Sequence, residues 1–190
     1  MIKEIVKNYK IYGLAESVKA SKYPMAVNTE DCNSELTDTV RKLAGSQVGS
    51  GHDQFLTGII VQFDLTFSIK AWVEAERYHF FDFVSSQSTM HRVAKFDAES
   101  QCNEYVTAET ISIVKSLVDC YNNDPTPKNY LRLLYNIPVG FRLTARMTTN
   151  YRQLKTIYKQ RKNHRLPEWR TFCEWIESLP YSELITGVEK

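Results

Sequence analysis

Between Trp72 and Arg92 the chain gathers groups that can do chemistry. There are His79 and His91, Arg77 and Arg92, and the carboxylates of Glu74, Glu76 and Asp82. The hydroxyls of Ser85, Ser86, Ser88 and Thr89 lie among Trp72, Tyr78, Phe80, Phe81 and Phe83. Polar groups in apolar surroundings need partners. Either they satisfy each other, for instance at a subunit interface, or a ligand satisfies them. A core rarely needs so many donors in so few residues, so a ligand site is expected here.

A second concentration is cationic. Residues 142–170 contain Arg142, Arg146, Arg152, Lys155, Lys159, Arg161, Lys162, Arg165 and Arg170, with Glu168 as the one acid. In a chain whose net charge is only +2, such a segment suggests an anionic ligand such as a phosphate. Gly49-Ser-Gly51-His52-Asp53 is a flexible turn that carries a histidine. It lacks the spacing of a nucleotide-binding glycine loop.

These groups need elements to position them. Residues 2–12 suit a short strand and 14–22 a short helix that Pro24 ends. Ser34 can cap a helix with Leu36, Val40 and Leu43 on one face, stopped by Gly45. Ile59, Val61, Phe63, Leu65, Phe67 and Ile69 alternate with Gln62, Asp64, Thr66 and Ser68, which is the period of a half-buried strand. A helix is expected from about residue 70, on which Val73, Glu76, Arg77 and Phe80 would be neighbours. Thr107 opens a helix to about 122, and Thr126-Pro127 opens another. Residues 141–148 alternate loosely as a strand. Asn150 can cap a helix to about Lys162, with Leu154, Ile157, Tyr158 and Arg161 on one face. The last helix is expected from Pro167, with Trp169, Phe172, Cys173 and Ile176 inward.

Arg161 therefore continues an apolar stripe, where a guanidinium is costly without an acceptor. That acceptor is either a carboxylate of the same chain or a bound anion or carbonyl. The residues alone leave both open.

The 190 residues suffice for one domain with a real core, and 43% hydrophobic with 24% charged residues is ordinary for a soluble globular protein. Helices and a few strands without strict alternation indicate an α+β fold, a single domain over 1–190 with a small antiparallel or mixed sheet packed by helices. Four scattered cysteines without zinc or redox spacing read as reduced thiols of a cytoplasmic protein. The first residues show no signal-peptide core, and no apolar run approaches membrane-spanning length.

The order of these features resembles the flavin-dependent thymidylate synthases. Lys19-Ala20-Ser21 and the helix at 34–44 match the family's opening helices. Gly51-His52-Asp53, followed by the strand from Val61 to Phe67, looks like its Gly-His-Glu and succeeding strand. Ile137-Pro138 with Thr149-Asn150-Tyr151-Arg152-x-Leu154 looks like its Leu-Pro and Asn-x-Arg-x-Leu block, and Arg161 falls where the family keeps an arginine. The family signature lands on residues 77–90 and keeps only Arg77. Tyr78 stands for a histidine, His79 for an arginine, Asp82 for a serine and Val84 for an asparagine. Glu74 replaces a glutamine that helps hold the nucleotide. A small insertion lets Ser88 and Arg92 take the closing serine and arginine.

The resemblance implies a homotetramer that binds FAD and dUMP at subunit junctions. Methylenetetrahydrofolate would supply the one-carbon unit and NADPH would recharge the flavin. It places His52, Arg77, Tyr78, His79, Asn150 and Arg152 at the cofactor and Glu74, Arg77, Ser88, Arg92 and Arg161 at the nucleotide. Arg161, at the pyrimidine, is the catalytic candidate, because a fixed guanidinium can stabilise charge on a carbonyl oxygen. Lys155 has no counterpart and is expected to be a solvated charge. No metal and no membrane are implied. Two other readings stand beside it: an inactive family member kept as a flavin- or nucleotide-binding or assembly protein, and a nucleic-acid binder using residues 142–170.

Overall fold

The computed structural model describes residues 5–47 and 49–187. Its fold is α+β, a four-stranded antiparallel sheet packed by helices, with strand order β1-β2-β4-β3. The strands are β1 (Val6–Tyr12), β2 (Ile60–Ser68), β3 (Phe81–Ser86) and β4 (Arg142–Asn150). The central pair, β2 and β4, runs in unbroken register from Ile60↔Asn150 to Ser68↔Arg142.

The alternation in β2 sorts as expected. Val61, Phe63, Leu65 and Phe67 are fully buried, while Gln62, Asp64 and Thr66 are half-buried on the other face. The buried face packs on two helices, α8 (Tyr151–Arg161) and α9 (Pro167–Glu177). Phe63, Phe67, Trp169 and Phe172 meet there edge-on or tilted, with centroids 4.8–6.1 Å apart. The polar face is tied across three strands. Asn8 Nδ2 donates to Asp64 Oδ2 at 2.7 Å, and Arg146 Nη1 reaches Asp64 Oδ1 at 3.2 Å and the Asn8 carbonyl at 2.7 Å.

The other helices are α1 (Leu14–Ala20), α2 (Asp38–Ala44), α3 (Ile69–Ala75), α4 (Thr89–Arg92), α5 (Ala98–Gln101), α6 (Ala108–Asn123), α7 (Pro127–Tyr135) and α10 (Glu183–Thr186). Thr107 and Thr126 cap α6 and α7 as expected, each accepting from the third residue on. Helices α4 to α7 form an excursion between β3 and β4. It has its own small core of Val93, Ala98, Val114 and Leu133.

Three expectations change. Thr37, not Ser34, caps α2, because its Oγ1 faces the Val40 amide. Helix α3 stops at Ala75, so Arg77 and Phe80 leave the helical face. The chain turns there into β3, an edge strand that the sequence did not announce. And α9 is followed by the short α10.

Candidate functional site

Helix α8 carries both clusters of candidate residues, one at each end. Its eleven residues hold the two ends about 16 Å apart, at 1.5 Å per residue.

At the N-terminal end Asn150 leaves β4 and caps α8, its Oδ1 accepting from the Gln153 amide at 2.8 Å. In the first turn of α8 Arg152 Nε donates to Asp53 Oδ1 at 3.1 Å, and in the next Lys155 Nζ donates to Asp53 Oδ2 at 2.9 Å. Asp53 is wholly buried, and a buried carboxylate persists only when paired and hydrogen-bonded. It thus fastens the glycine turn with the exposed His52 to the start of α8. Lys155 is a correction to the sequence reading. It is not a solvated charge: Nζ also reaches the carbonyls of Ala44 at 2.5 Å and Ser46 at 2.8 Å, and its side chain is only 13% exposed. Arg152 keeps 28% of its side chain exposed and records a bond through Nε only. A cavity of about 790 Å³ opens along α8 from Lys155 to Lys162, lined also by residues 44–47 and 184–187, and it touches none of His52, Asn150 and Arg152. That volume is in the range of a large ligand site.

At the C-terminal end Arg161 is buried. Its Nε donates to Tyr78 Oη at 2.8 Å and its Nη1 to Glu74 Oε2 at 2.8 Å. Tyr78 donates onward to Gln160 Oε1 at 2.9 Å. The guanidinium lies over the Trp169 ring at 4.8 Å and the Tyr78 ring at 5.6 Å. His164 Nε2 stands 2.8 Å from Arg161 Nη1 and 3.3 Å from Glu74 Oε2, so its tautomer decides whether it accepts from the one or donates to the other. Lys70 Nζ approaches Glu74 Oε1 at 3.4 Å.

Burial alone would raise the Glu74 carboxyl, but the charge of His164 and the contacts with Lys70 and Arg161 outweigh it and hold it below its ordinary value. Burial and then the Arg161 charge lower His164, with Glu74 opposing in part. Glu74 is thus a carboxylate and His164 a neutral ring near pH 7.

The open question about Arg161 has its answer in this chain: its acceptor is an internal carboxylate. The structure brings Glu74, Tyr78 and Arg161 together and gathers Asn150, Arg152 and the His52 turn at the other end of α8. Arg77 and His79 flank Tyr78 on the surface. Ser88 and Arg92 lie beyond β3, outside both clusters. Of the polar groups in residues 72–92, Arg77, His79, Asp82, Ser85, Ser86, His91 and Arg92 are all exposed in the single chain, and Glu74 and Tyr78 enter the partnered cluster at Arg161. Sequence reasoning missed Asp53, Lys70, Gln160 and His164 as partners. Only Asp53, beside His52 in the glycine turn, carried a local signal.

A smaller cavity of about 380 Å³, lined by Glu99, Glu104, Arg142 and Glu168 among others, touches none of the expected site residues. Among the described residues no cluster of three His, Cys, Asp or Glu side chains could hold a metal ion, and no helix is long and apolar enough to cross a membrane.

No family model matches the sequence, and no curated protein matches it. Solved structures do. The chain is similar to the flavin-dependent thymidylate synthase ThyX from Helicobacter pylori complexed with FAD and dUMP, with a TM-score of 0.74 and 14% identity over 98% of this chain and 99% of that one. A second structure of that enzyme with FAD and dUMP gives 0.74 at 16% identity, covering 96% of each chain. A UMP/dUMP methylase, PolB from Streptomyces cacaoi, bound with 5-Br dUMP, gives 0.61 at 17% identity over 92% of this chain and 87% of that one. The fold is therefore that of the flavin-dependent thymidylate synthases.

Proposed function

We propose that this chain is a flavin-dependent methyltransferase of pyrimidine nucleotides. It would carry a one-carbon unit from methylenetetrahydrofolate to C5 of dUMP or a related nucleotide, with FAD that NADPH recharges. The observation that supports this most is the likeness, over 98% of the chain, to a thymidylate synthase solved with FAD and dUMP.

The donor set fits a flavin. Arg152 offers the guanidinium nitrogens that Asp53 leaves over, and His52 sits exposed on the turn that Asp53 anchors. Arg77 adds a surface cation for phosphate, with the exposed His79 ring two residues on. When bound, the flavin supplies the reducing electrons. The chain's own part lies at Arg161, which Tyr78 and Trp169 hold in a fixed plane. A rigid, desolvated guanidinium can stabilise the charge that spreads onto a pyrimidine carbonyl as C5 is activated.

The site is completed between copies in this reading, as a homotetramer. Strand β3 is an edge strand with one neighbour, β4; its Phe83 and Val84 are 47 and 58% exposed, and Phe80 just before it is 62% exposed. Such an edge needs covering, and a second copy would do it. The protein is read as cytoplasmic, in keeping with four free cysteines.

The deciding experiment is the absorbance spectrum of the purified, mildly oxidised protein, followed by titration with dUMP. Flavin bands that shift on adding dUMP support the proposal. A colourless protein that binds no added FAD overturns it.

One observation favours a second reading, an inactive relative kept for binding or assembly. Arg161 already has Glu74 and Tyr78 as partners. Flavin binding without turnover of any pyrimidine nucleotide would select it. The nucleic-acid reading loses its basis, because most of the cations in 142–170 hold the fold together. Arg142 binds the carbonyls of Ser100, Gln101 and Cys102, Arg146 binds Asp64, and Arg170 binds the carbonyls of His164 and Arg165.

A further inference from the structure

Glu74 has two cationic neighbours in different surroundings. The inner one is Arg161, 2.8 Å away, with the two side chains only 13 and 11% exposed. The outer one is Lys70, one turn back on α3 and 3.4 Å away, with its side chain 53% exposed. An outward rotation of Glu74 gives up Arg161 and His164 for water and keeps Lys70, which Oε1 already meets, so the carboxylate has an ionic partner throughout. Arg161 cannot follow. Its Nε is held by Tyr78, Tyr78 is held by Gln160, and the guanidinium lies over Trp169. The rotation would leave a fixed guanidinium with an open donor aimed at the place of the carboxylate oxygen.

We propose that Glu74 is a gate on Arg161, an internal stand-in for the oxygen of the ligand, which must move to Lys70 before the ligand binds. This rests on the reading in which Arg161 meets a pyrimidine carbonyl. The ligand class is a planar heterocycle with a carbonyl edge. A neutral carbonyl is a weaker acceptor than an ionised carboxylate, so the ligand competes poorly while Glu74 is in place. Glu74 and Lys70 thereby become specificity-determining residues. The first opposes binding and the second assists it, though neither gains a new contact with the ligand.

The test is calorimetric titration of dUMP into the full chain as wild type, Glu74→Gln, Lys70→Met and the double variant, with flavin content read by absorbance. Glutamine keeps the size and an acceptor oxygen, and Lys70 is on the surface, so folding should survive both changes. Glu74→Gln should bind dUMP about tenfold more tightly, within the usual range of coupling between two linked equilibria. Lys70→Met should bind severalfold more weakly, and that loss should vanish in the Glu74→Gln background. Equal or weaker binding by Glu74→Gln, or a Lys70→Met loss of the same size in both backgrounds, overturns the gate. The second pattern would mean that Lys70 attracts the nucleotide directly. No dUMP binding by any of the four proteins also overturns it. The predicted pattern without any bound flavin overturns the flavin reading and leaves the gate standing.

Discussion

Glu74 and Arg161, 87 residues apart in the chain, meet at 2.8 Å beneath the turn from α3 to β3. The contact joins α3 to the far end of α8, so its removal is felt as stability. Arg161→Ala leaves a shielded carboxylate without its main partner and should cost about 3 kcal/mol, the lower end for broken buried pairs. Arg161→Lys keeps the charge but loses the Nε bond to Tyr78 and the flat contact with Trp169, and should cost less. Urea denaturation of both variants measures this. A change below about 0.5 kcal/mol for Arg161→Ala, the level of an ordinary surface substitution, would show that the pair is solvated in solution.

Lys155 and Arg152 share Asp53, yet they should fail differently. Lys155 also closes the end of α2 through two carbonyls. Lys155→Ala should therefore lower the melting temperature more than Arg152→Ala does. Arg152→Ala should release more flavin among the molecules that remain folded. Thermal melts paired with a flavin titration check both halves. Equal flavin loss from the two variants would reduce the role of Arg152 to net charge.

Acid should weaken the protein in two stages. His164 is lowered in the folded state, so below its ordinary value of 6.5 the unfolded chain takes up a proton that the folded chain resists. Stability falls as pH drops through that window. Glu74 is also lowered, from 4.5. Its contribution is complete above 4.5 and is lost as pH falls through the folded value. Urea midpoints between pH 7.5 and 3.5 should show both steps, as these windows imply, and His164→Gln should flatten the first and shrink the second, because the His164 charge is one of the causes that lower Glu74. A midpoint that does not change down to pH 5 would contradict the lowered His164.

The β3 edge is the place to break an assembly. A double variant, Phe80→Lys with Val84→Lys, adds charge to exposed positions and leaves the contact of Phe83 with the Trp72 ring in place. Light scattering at micromolar concentration should find the wild type as a tetramer and the variant as a smaller species. A monomeric wild type would remove the shared-site arrangement.

Much of the scaffold was legible because its signals are local. Strand β2 declares itself by alternation, since one face is buried against α8 and α9 and the other is not. Thr107, Thr126 and Asn150 cap helices through bonds spanning three residues. Strand β3 hid because an edge strand with one neighbour can leave apolar residues in the open: Phe-Asp-Phe-Val-Ser-Ser shows no regular alternation, and a bulge at Val84 breaks the register with β4. The partners at the site hid for a different reason. Glu74 with Arg161 and Asp53 with Lys155 close loops of 87 and 102 residues, and no pattern in a short window carries such a pairing. A buried aspartate in a glycine turn reads as a solvated one until the lysine that reaches it is seen.

The excursion between β3 and β4 gives the molecule two grades of solidity. Its small core of Val93, Ala98, Val114 and Leu133 is separate from the large core under the sheet. It is joined to β4 mainly through the Arg142 guanidinium, the Gln101 amide bond to the Arg142 carbonyl and the bridge between Cys102 and Phe141. Segments with few buried contacts open without global unfolding. The amides of α6 and α7 should thus exchange with solvent deuterium long before those of β2 and β4, while both ends of α8 stay closed. A region that breathes while the site keeps its shape is where sequence can drift, and residues 89–139 are where relatives of this chain should differ most in length.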